Sequence, residues 1–195
     1  MFRDVLVVMW GDEPQLENFR ARLKLLLASH ETDLNPKQIK AQEGDLLMQQ
    51  GNKSDILYLL TEGSVGIELH QDNSCHRLTT IHAVDLIGEM GFFANGECSA
   101  DVRVVDGPAT LLAVEGHELL KAMLFDSDLV MEMLSLVCER CRRSNQVIGI
   151  LLSGIEAAHC GDKQWFDQVS GEMRRLHHSI ETAGQKLSEL SPPNP

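Results

Sequence analysis

Apolar positions along the chain change their spacing twice. Asp12-Glu13-Pro14 places acidic residues and a proline where a helix begins, and Leu16, Phe19, Leu23, Leu26 and Leu27 then recur at helical spacing to about His30. After Asn35-Pro36 the period shortens. The runs Asp45–Met48, Ile56–Thr61, Ser64–Leu69, Leu78–Ile81, Val102–Val105 and Leu111–Val114 are short and apolar or alternating, and Gly44, Gly51, Gly63, Gly88, Gly96 and Gly107-Pro108 punctuate them. Short strands at regular spacing, without helical periods between them, predict an α+β fold: a small antiparallel β-roll of jelly-roll type with flanking helices.

Helical spacing returns at Gly116–Leu124, and Asp126-Ser127 offers N-cap chemistry for a second, longer helix. Along it Val130, Leu134, Val137, Cys141, Ser144, Ile148, Leu151, Ile155 and Ala158 alternate steps of four and three, which is an a/d heptad seam. So regular a seam predicts a helix that pairs with a second copy of itself, although a helix packed on its own domain also carries an apolar stripe, usually a wider one. Gly149 and Gly154 lie off the seam and each lowers helix propensity by about 1 kcal/mol, which favours bending or fraying of the distal half. Trp165–Leu190, with Phe166, Val169, Met173, Leu176 and Ile180, predicts a last amphipathic helix. The expected organisation is a helical lead-in (1–35), a β-roll with a short helix (36–126), a long dimerisation helix (127–160), a C-terminal helix (161–190) and a disordered tail (191–195).

Composition narrows the function classes. With 195 residues, 43% apolar and 24% charged, the chain suffices for one domain plus an extension. Its formal charge of -12 resides in residues 1–138, which hold 22 acidic and 10 basic residues, against 7 of each thereafter. An acidic body repels phosphate backbones, so nucleic acid is not an expected partner. No run of about 18 apolar residues exists, and the opening decapeptide carries Arg3 and Asp4, so neither a membrane-spanning helix nor a secretory signal is expected. Five scattered cysteines, Cys75, Cys98, Cys138, Cys141 and Cys160, do not make a secreted disulfide framework and agree with a cytoplasmic setting.

Within the β region, Glu43–Gly51, Leu57–Val65 and Ile87–Phe93 followed by Cys98–Val102 form three separated glycine motifs. In this order and at these distances they resemble the cyclic nucleotide-binding domain family, with its catabolite activator-like β-roll, over about residues 38–145. Ile87-Gly88-Glu89-Met90-Gly91-Phe92-Phe93 and Cys98-Ser99-Ala100-Asp101-Val102 look like its phosphate-binding cassette. A Gly-Glu-x-Gly turn entering a helical turn presents successive backbone N–H groups to an anion. The resemblance implies that Gly88, Glu89, Met90, Gly91, Cys98, Ser99 and Ala100 bind ligand, with Glu89 accepting a hydrogen bond from a sugar hydroxyl and Ser99 donating one to a phosphate oxygen. A simpler reading is that Gly88 and Gly91 only permit tight turns and that Glu89 caps the short helix.

Cys98 stands where cyclic nucleotide-responsive members carry an arginine. A neutral thiol in place of a guanidinium removes a charge-assisted contact of about 1.5–3 kcal/mol, one to two orders of magnitude in affinity. Arg103 lies five residues on, and strand alternation turns it to the opposite face; Arg140, Arg142 and Arg143 on the long helix are the remaining cations placed to reach over the cassette. Cys138-x-x-Cys141 with His159-Cys160 suggests zinc, but a lone C-x-x-C within a heptad seam is more often packing, and no metal or other cofactor is expected. His70, His76 and His82 lack the H-x-H pattern of a metal-binding β-roll, His177-His178 cannot share one helix face, and no nucleophile elbow, phosphate loop or carboxylate pair marks an enzyme. About 37 residues follow Ala158 without a basic recognition helix, so a DNA-binding regulator is not expected. The expectation is a non-catalytic module that binds a cyclic nucleotide, cyclic AMP or a related small anion, and signals through its C-terminal helices to a protein partner as a homodimer. A degenerate pocket serving ligand-independent assembly is the alternative.

Overall fold

The structure is a computed structural model that describes residues 21–22, 24–25, 28–30, 34–72 and 74–176. The apolar positions of the lead-in, Leu16, Phe19, Leu23, Leu26 and Leu27, and the chain beyond Leu176 lie outside the described residues. Six strands, β1 (Lys37–Ala41), β2 (Leu46–Met48), β3 (Ile56–Gln71), β4 (Ser74–His82), β5 (Asp85–Ile87) and β6 (Asp101–Glu115), make one antiparallel sheet that does not close. Its path is β1-β6-β3-β4, with β2 on β6 and β5 on β3. Register pairs include Ile39 with Leu111, Leu60 with Leu111, Val65 with both Val104 and Ile81, and Leu59 with Leu86.

Two pairs of the sequence runs are not separate strands. Residues 56–61 and 64–69 merge into β3, and 102–105 and 111–114 into β6, with register shifts at Leu60/Glu62 and Glu62/Ser64. The intervening glycines bend paired strands instead of ending them. Gly63 has φ +87, and a Cβ there would sit 2.6 Å from the Pro108 carbonyl oxygen, so the bulge in β3 nests against the Asp106-Gly107-Pro108 bend of β6.

Strand alternation sorts β3 into two cores. Tyr58, Leu60 and Val65 join Ile87, Val102 and Val104 inside the roll, whereas Leu57 and Leu59 join Leu86, Val114 and the helices. Those helices are α2 (Gly116–Phe125), α3 (Ser127–Cys160) and α4 (Lys163–Leu176), preceded by a single turn, α1 (Glu89–Phe92). Asp126 caps α3 by accepting from the N–H groups of Asp128 at 2.8 Å and Leu129 at 3.2 Å, and its other oxygen pairs with His30 at 2.7 Å. The cap thereby ties the N-terminal segment to the long helix.

The face α3 lays on the sheet is Leu129, Met133 and Leu136, one residue out of step with the heptad seam. Gly161 at φ +67 ends α3, and α4 folds back so that Val169 packs on Val147, Ile150 and Leu151. Gly154 and Ala157 are buried, and α3 stays helical through both Gly149 and Gly154. Leu151, expected in the seam, is thus shared with the α3–α4 contact. Leu134, Ile148 and Ile155 remain half or more exposed.

Candidate functional site

The cassette begins where β5 ends. Gly88 has φ +97, and a Cβ on it would meet the Ile56 carbonyl oxygen at 3.0 Å and the Met48 methyl at 3.2 Å. A Cβ on Gly91 would lie 2.6 Å from the Glu97 carbonyl oxygen. Both positions therefore need glycine for close backbone approach as well as for turning. The Phe92 N–H donates to the Gly88 carbonyl at 3.1 Å and the Phe93 N–H to the Glu89 carbonyl at 2.9 Å, which forms the helical turn α1. The Ala94 and Gly96 N–H groups then converge on the Gly91 carbonyl at 3.2 and 2.9 Å. Farther along, the Cys98 N–H donates to the Asn52 carbonyl at 2.9 Å and its own carbonyl accepts from Gly51 at 2.8 Å. The two halves of the cassette are pinned against each other and against the turn after β2. Gly88, Glu89, Gly91 and Cys98 converge, Ala100 is buried, and the side chains of Met90 and Ser99 face solvent.

Glu89 is 1% exposed and forms an ion pair with Arg140 of α3 through Nη1. The other terminal nitrogen of Arg140 donates to Asp85 Oδ1 at 3.0 Å and to the Leu86 carbonyl at 2.5 Å. Burial works against the guanidinium charge, but the Glu89 and Asp85 carboxylates outweigh it and hold the Arg140 pKa above its ordinary value. Of the three arginines in reach by sequence, Arg140 alone enters the cassette among the described contacts; Arg142 and Arg143 lie 3.2 and 3.9 Å from Glu139 on their own helix. Asp85 had a signal in the sequence, a single charge inside the apolar run that leads into Gly88.

Cys98 packs inside the roll in one cluster with Ile87 and Val102. Burial pushes its thiol pKa up, and the nearby Asp101 carboxylate adds to this, so the position holds a neutral S–H. Arg103 lies on the other face, as alternation predicts: it reaches Glu68 at 3.3 Å and the Gly44 carbonyl at 2.8 Å, and Arg77 holds the same Glu68 at 2.7 Å. Sequence reasoning missed a second network. Asp101 accepts from the Gln50 N–H at 2.7 Å and contacts His70 Nε2 at 3.0 Å, while the Gln50 amide clasps the His70 backbone. Nothing in the spacing announces it, because the partners meet only through strand register.

The cassette thus supplies a buried carboxylate, while its positive charge arrives from α3. Among the described residues, no group of three or more His, Cys, Asp or Glu side chains is placed to hold a metal ion. Cys138, Cys141 and Cys160 are exposed and free, His82 Nδ1 lies 2.8 Å from Ser64 Oγ, and His177-His178 fall outside the described residues. No described helix is long and apolar enough to cross a membrane.

A family model of the cyclic nucleotide-binding domain matches residues 38–125. Solved structures repeat the fold at low identity. The Thermus thermophilus catabolite activator protein superposes with a TM-score of 0.58 at 18% identity, over 85% of each chain. A transcriptional regulator from Thermotoga maritima gives 0.54 at 19% identity, over 60% of this chain and 92% of its own. The sensor domain of the transcriptional regulator DNR from Pseudomonas aeruginosa gives 0.51 at 18%, over 60% and 91%. No curated protein matches by sequence.

Proposed function

We propose that the chain, whose residues 38–125 match the family model of the cyclic nucleotide-binding domain, is a non-catalytic regulatory module of the cytosol. Its cassette takes a cyclic nucleotide or a related small anion, and α3 and α4 relay occupancy to a protein partner. The observation that supports this reading is the Arg140 contact, which places the guanidinium of the long helix on the carboxylate that the resemblance assigns to ligand. A sugar hydroxyl competes with Arg140 for Glu89, and a phosphate competes with Glu89 and Asp85 for Arg140. Either exchange changes how firmly α3 is held to the sheet, so occupancy and helix position share one set of hydrogen bonds. Arg140 also restores to the site the cation that Cys98 lacks. The exposed seam of α3, at Leu134, Ile148 and Ile155, supports pairing with a second copy.

Isothermal titration with cyclic AMP and cyclic GMP tests this. Saturable binding of either, weakened at least tenfold by Glu89→Ala and measurably by the solvent-facing Ser99→Ala, is the expected result. Binding of both that is absent or only millimolar overturns the sensor reading. The buried, neutral Cys98 favours a second reading, in which the pocket is degenerate and the fold serves ligand-independent assembly. In that case Glu89→Ala leaves partner binding unchanged, whereas a charge in the Val130–Ile155 seam abolishes it.

A further inference from the structure

Cys138 and Cys141 belong to none of the three apolar clusters, and both are exposed on α3. Cys138 follows Leu134 by four residues and Cys141 follows Cys138 by three, so the two thiols share the stripe that keeps Met131, Leu134, Ile148, Leu152 and Ile155 half or more exposed. Residues three apart on a helix have Cβ atoms about 5–6 Å from each other. Sulfurs on adjacent corners of a zinc tetrahedron, at about 2.3 Å from the metal, are about 3.8 Å apart, which two such side chains reach by rotation alone. Arg142 and Arg143 flank the pair, and both turn to the single carboxylate of Glu139, at 3.2 and 3.9 Å. Two guanidinium groups against one carboxylate leave a net positive charge beside the thiols, in a chain whose formal charge is -12.

We propose that Cys138 and Cys141 of two copies together hold one zinc ion, or a comparably thiophilic divalent cation, as a tetrathiolate across the α3 pair. The inference rests on the pairing of α3 with a second copy. A closed zinc site takes four ligands, and among the described residues one chain brings no group of three His, Cys, Asp or Glu side chains together for a metal. A second copy aligned in register along the same stripe supplies the identical pair at the same height, so the C-x-x-C spacing that is single in the sequence becomes double in the dimer. Binding releases the four thiol protons and leaves a centre of two net negative charges, which the surplus guanidinium of each copy offsets. The ion also fixes the turn of α3 that carries Arg140, whose guanidinium holds Glu89 on the opposite side of the helix.

Cobalt(II) is the probe, because its thiolate charge-transfer and visible bands report how many sulfurs surround it. The reduced full chain is titrated with cobalt chloride and then with zinc chloride, while light scattering follows its mass. The expected result is one cobalt per two chains with the spectrum of a four-sulfur tetrahedral site, displaced by zinc. That spectrum is lost in Cys138→Ser and in Cys141→Ser and kept in Cys160→Ser. Ile148→Asp, which opposes pairing without touching a thiol, binds cobalt more weakly by about tenfold or more. A dimer that binds no cobalt, or binds it equally well without either cysteine, overturns the metal site and leaves the pairing of α3 standing. A chain that stays monomeric at every metal concentration overturns the pairing and the shared site with it. One cobalt per chain with a two-sulfur spectrum, or wild-type binding by Ile148→Asp, overturns the contribution of the second copy. Both serine changes lie at exposed positions, which keeps the test clear of the core, and titration with cyclic nucleotides bears on none of these outcomes.

Discussion

Arg140 meets two carboxylates and a carbonyl in a site from which water is largely excluded, and such a triad is held together by mutual need. Removing the guanidinium takes from the buried Glu89 and Asp85 carboxylates the cation they share, so Arg140→Ala is expected to cost about 3–5 kcal/mol in urea unfolding. Changing Glu89→Gln together with Arg140→Met removes charge from both sides, and the pair is expected to be more stable than Arg140→Ala alone; equal loss would show that the ion pair is not the origin of the cost. Glu68 carries a pH signature. Hydrogen bonds from Arg77 lower its pKa against a desolvation penalty, with Arg103 adding to the lowering. A lowered carboxyl pKa means that the unfolded chain binds the proton more readily. The contribution is then complete above the ordinary glutamate range and is lost as pH falls through the depressed value. Glu68→Gln is expected to flatten that acid limb of a stability-against-pH curve, and an unchanged limb would assign it to other carboxylates.

At the scale of elements, α3 carries two apolar stripes one residue apart. Leu129, Met133 and Leu136 are spent on the sheet, so the seam beginning Val130-Leu134-Val137 is left for another surface. If two copies align in parallel and in register along it, Cys141 faces its own counterpart, with the small polar Ser144 next along the seam. Mild oxidation is expected to cross-link the wild type on non-reducing gels and to leave Cys141→Ser unlinked. Ile148→Asp, which sets a charge in a desolvated seam, is expected to shift the chain from dimer to monomer in light scattering at micromolar concentration. A wild-type monomer, or cross-linking that persists without Cys141, would show that α3 meets a different surface.

For the whole molecule, the roll and the α3–α4 hairpin have separate cores, since the cluster around Val169 shares no member with the two clusters of the sheet. Val169→Asp is expected to speed amide exchange in α3 beyond Val147 while β3 and β6 keep wild-type protection; uniform loss of protection would show one cooperative unit. The separation also marks how far the chain could be understood before folding. Local signals suffice for the β-roll, the extents of α2 and α3 and the glycines of the cassette, because period, capping chemistry and left-handed turns act over a few residues. They miss β1 and β5, and they split β3 and β6 because a glycine that ends a strand and one that bulges it look alike until a partner strand is present. The seam of α3 was legible as a repeat, but that its neighbouring stripe rests on the sheet and that Leu151 lies under α4 were not. Likewise, Gly88 and Glu89 stand out by spacing, whereas the partner of Glu89 lies 51 positions away on another element. That Arg140 rather than Arg142 or Arg143 enters the cassette depends on the rotation at which α3 docks on the sheet, and this rotation is set by the burial of Leu129, Met133 and Leu136, a choice made only when the helix meets its tertiary surface.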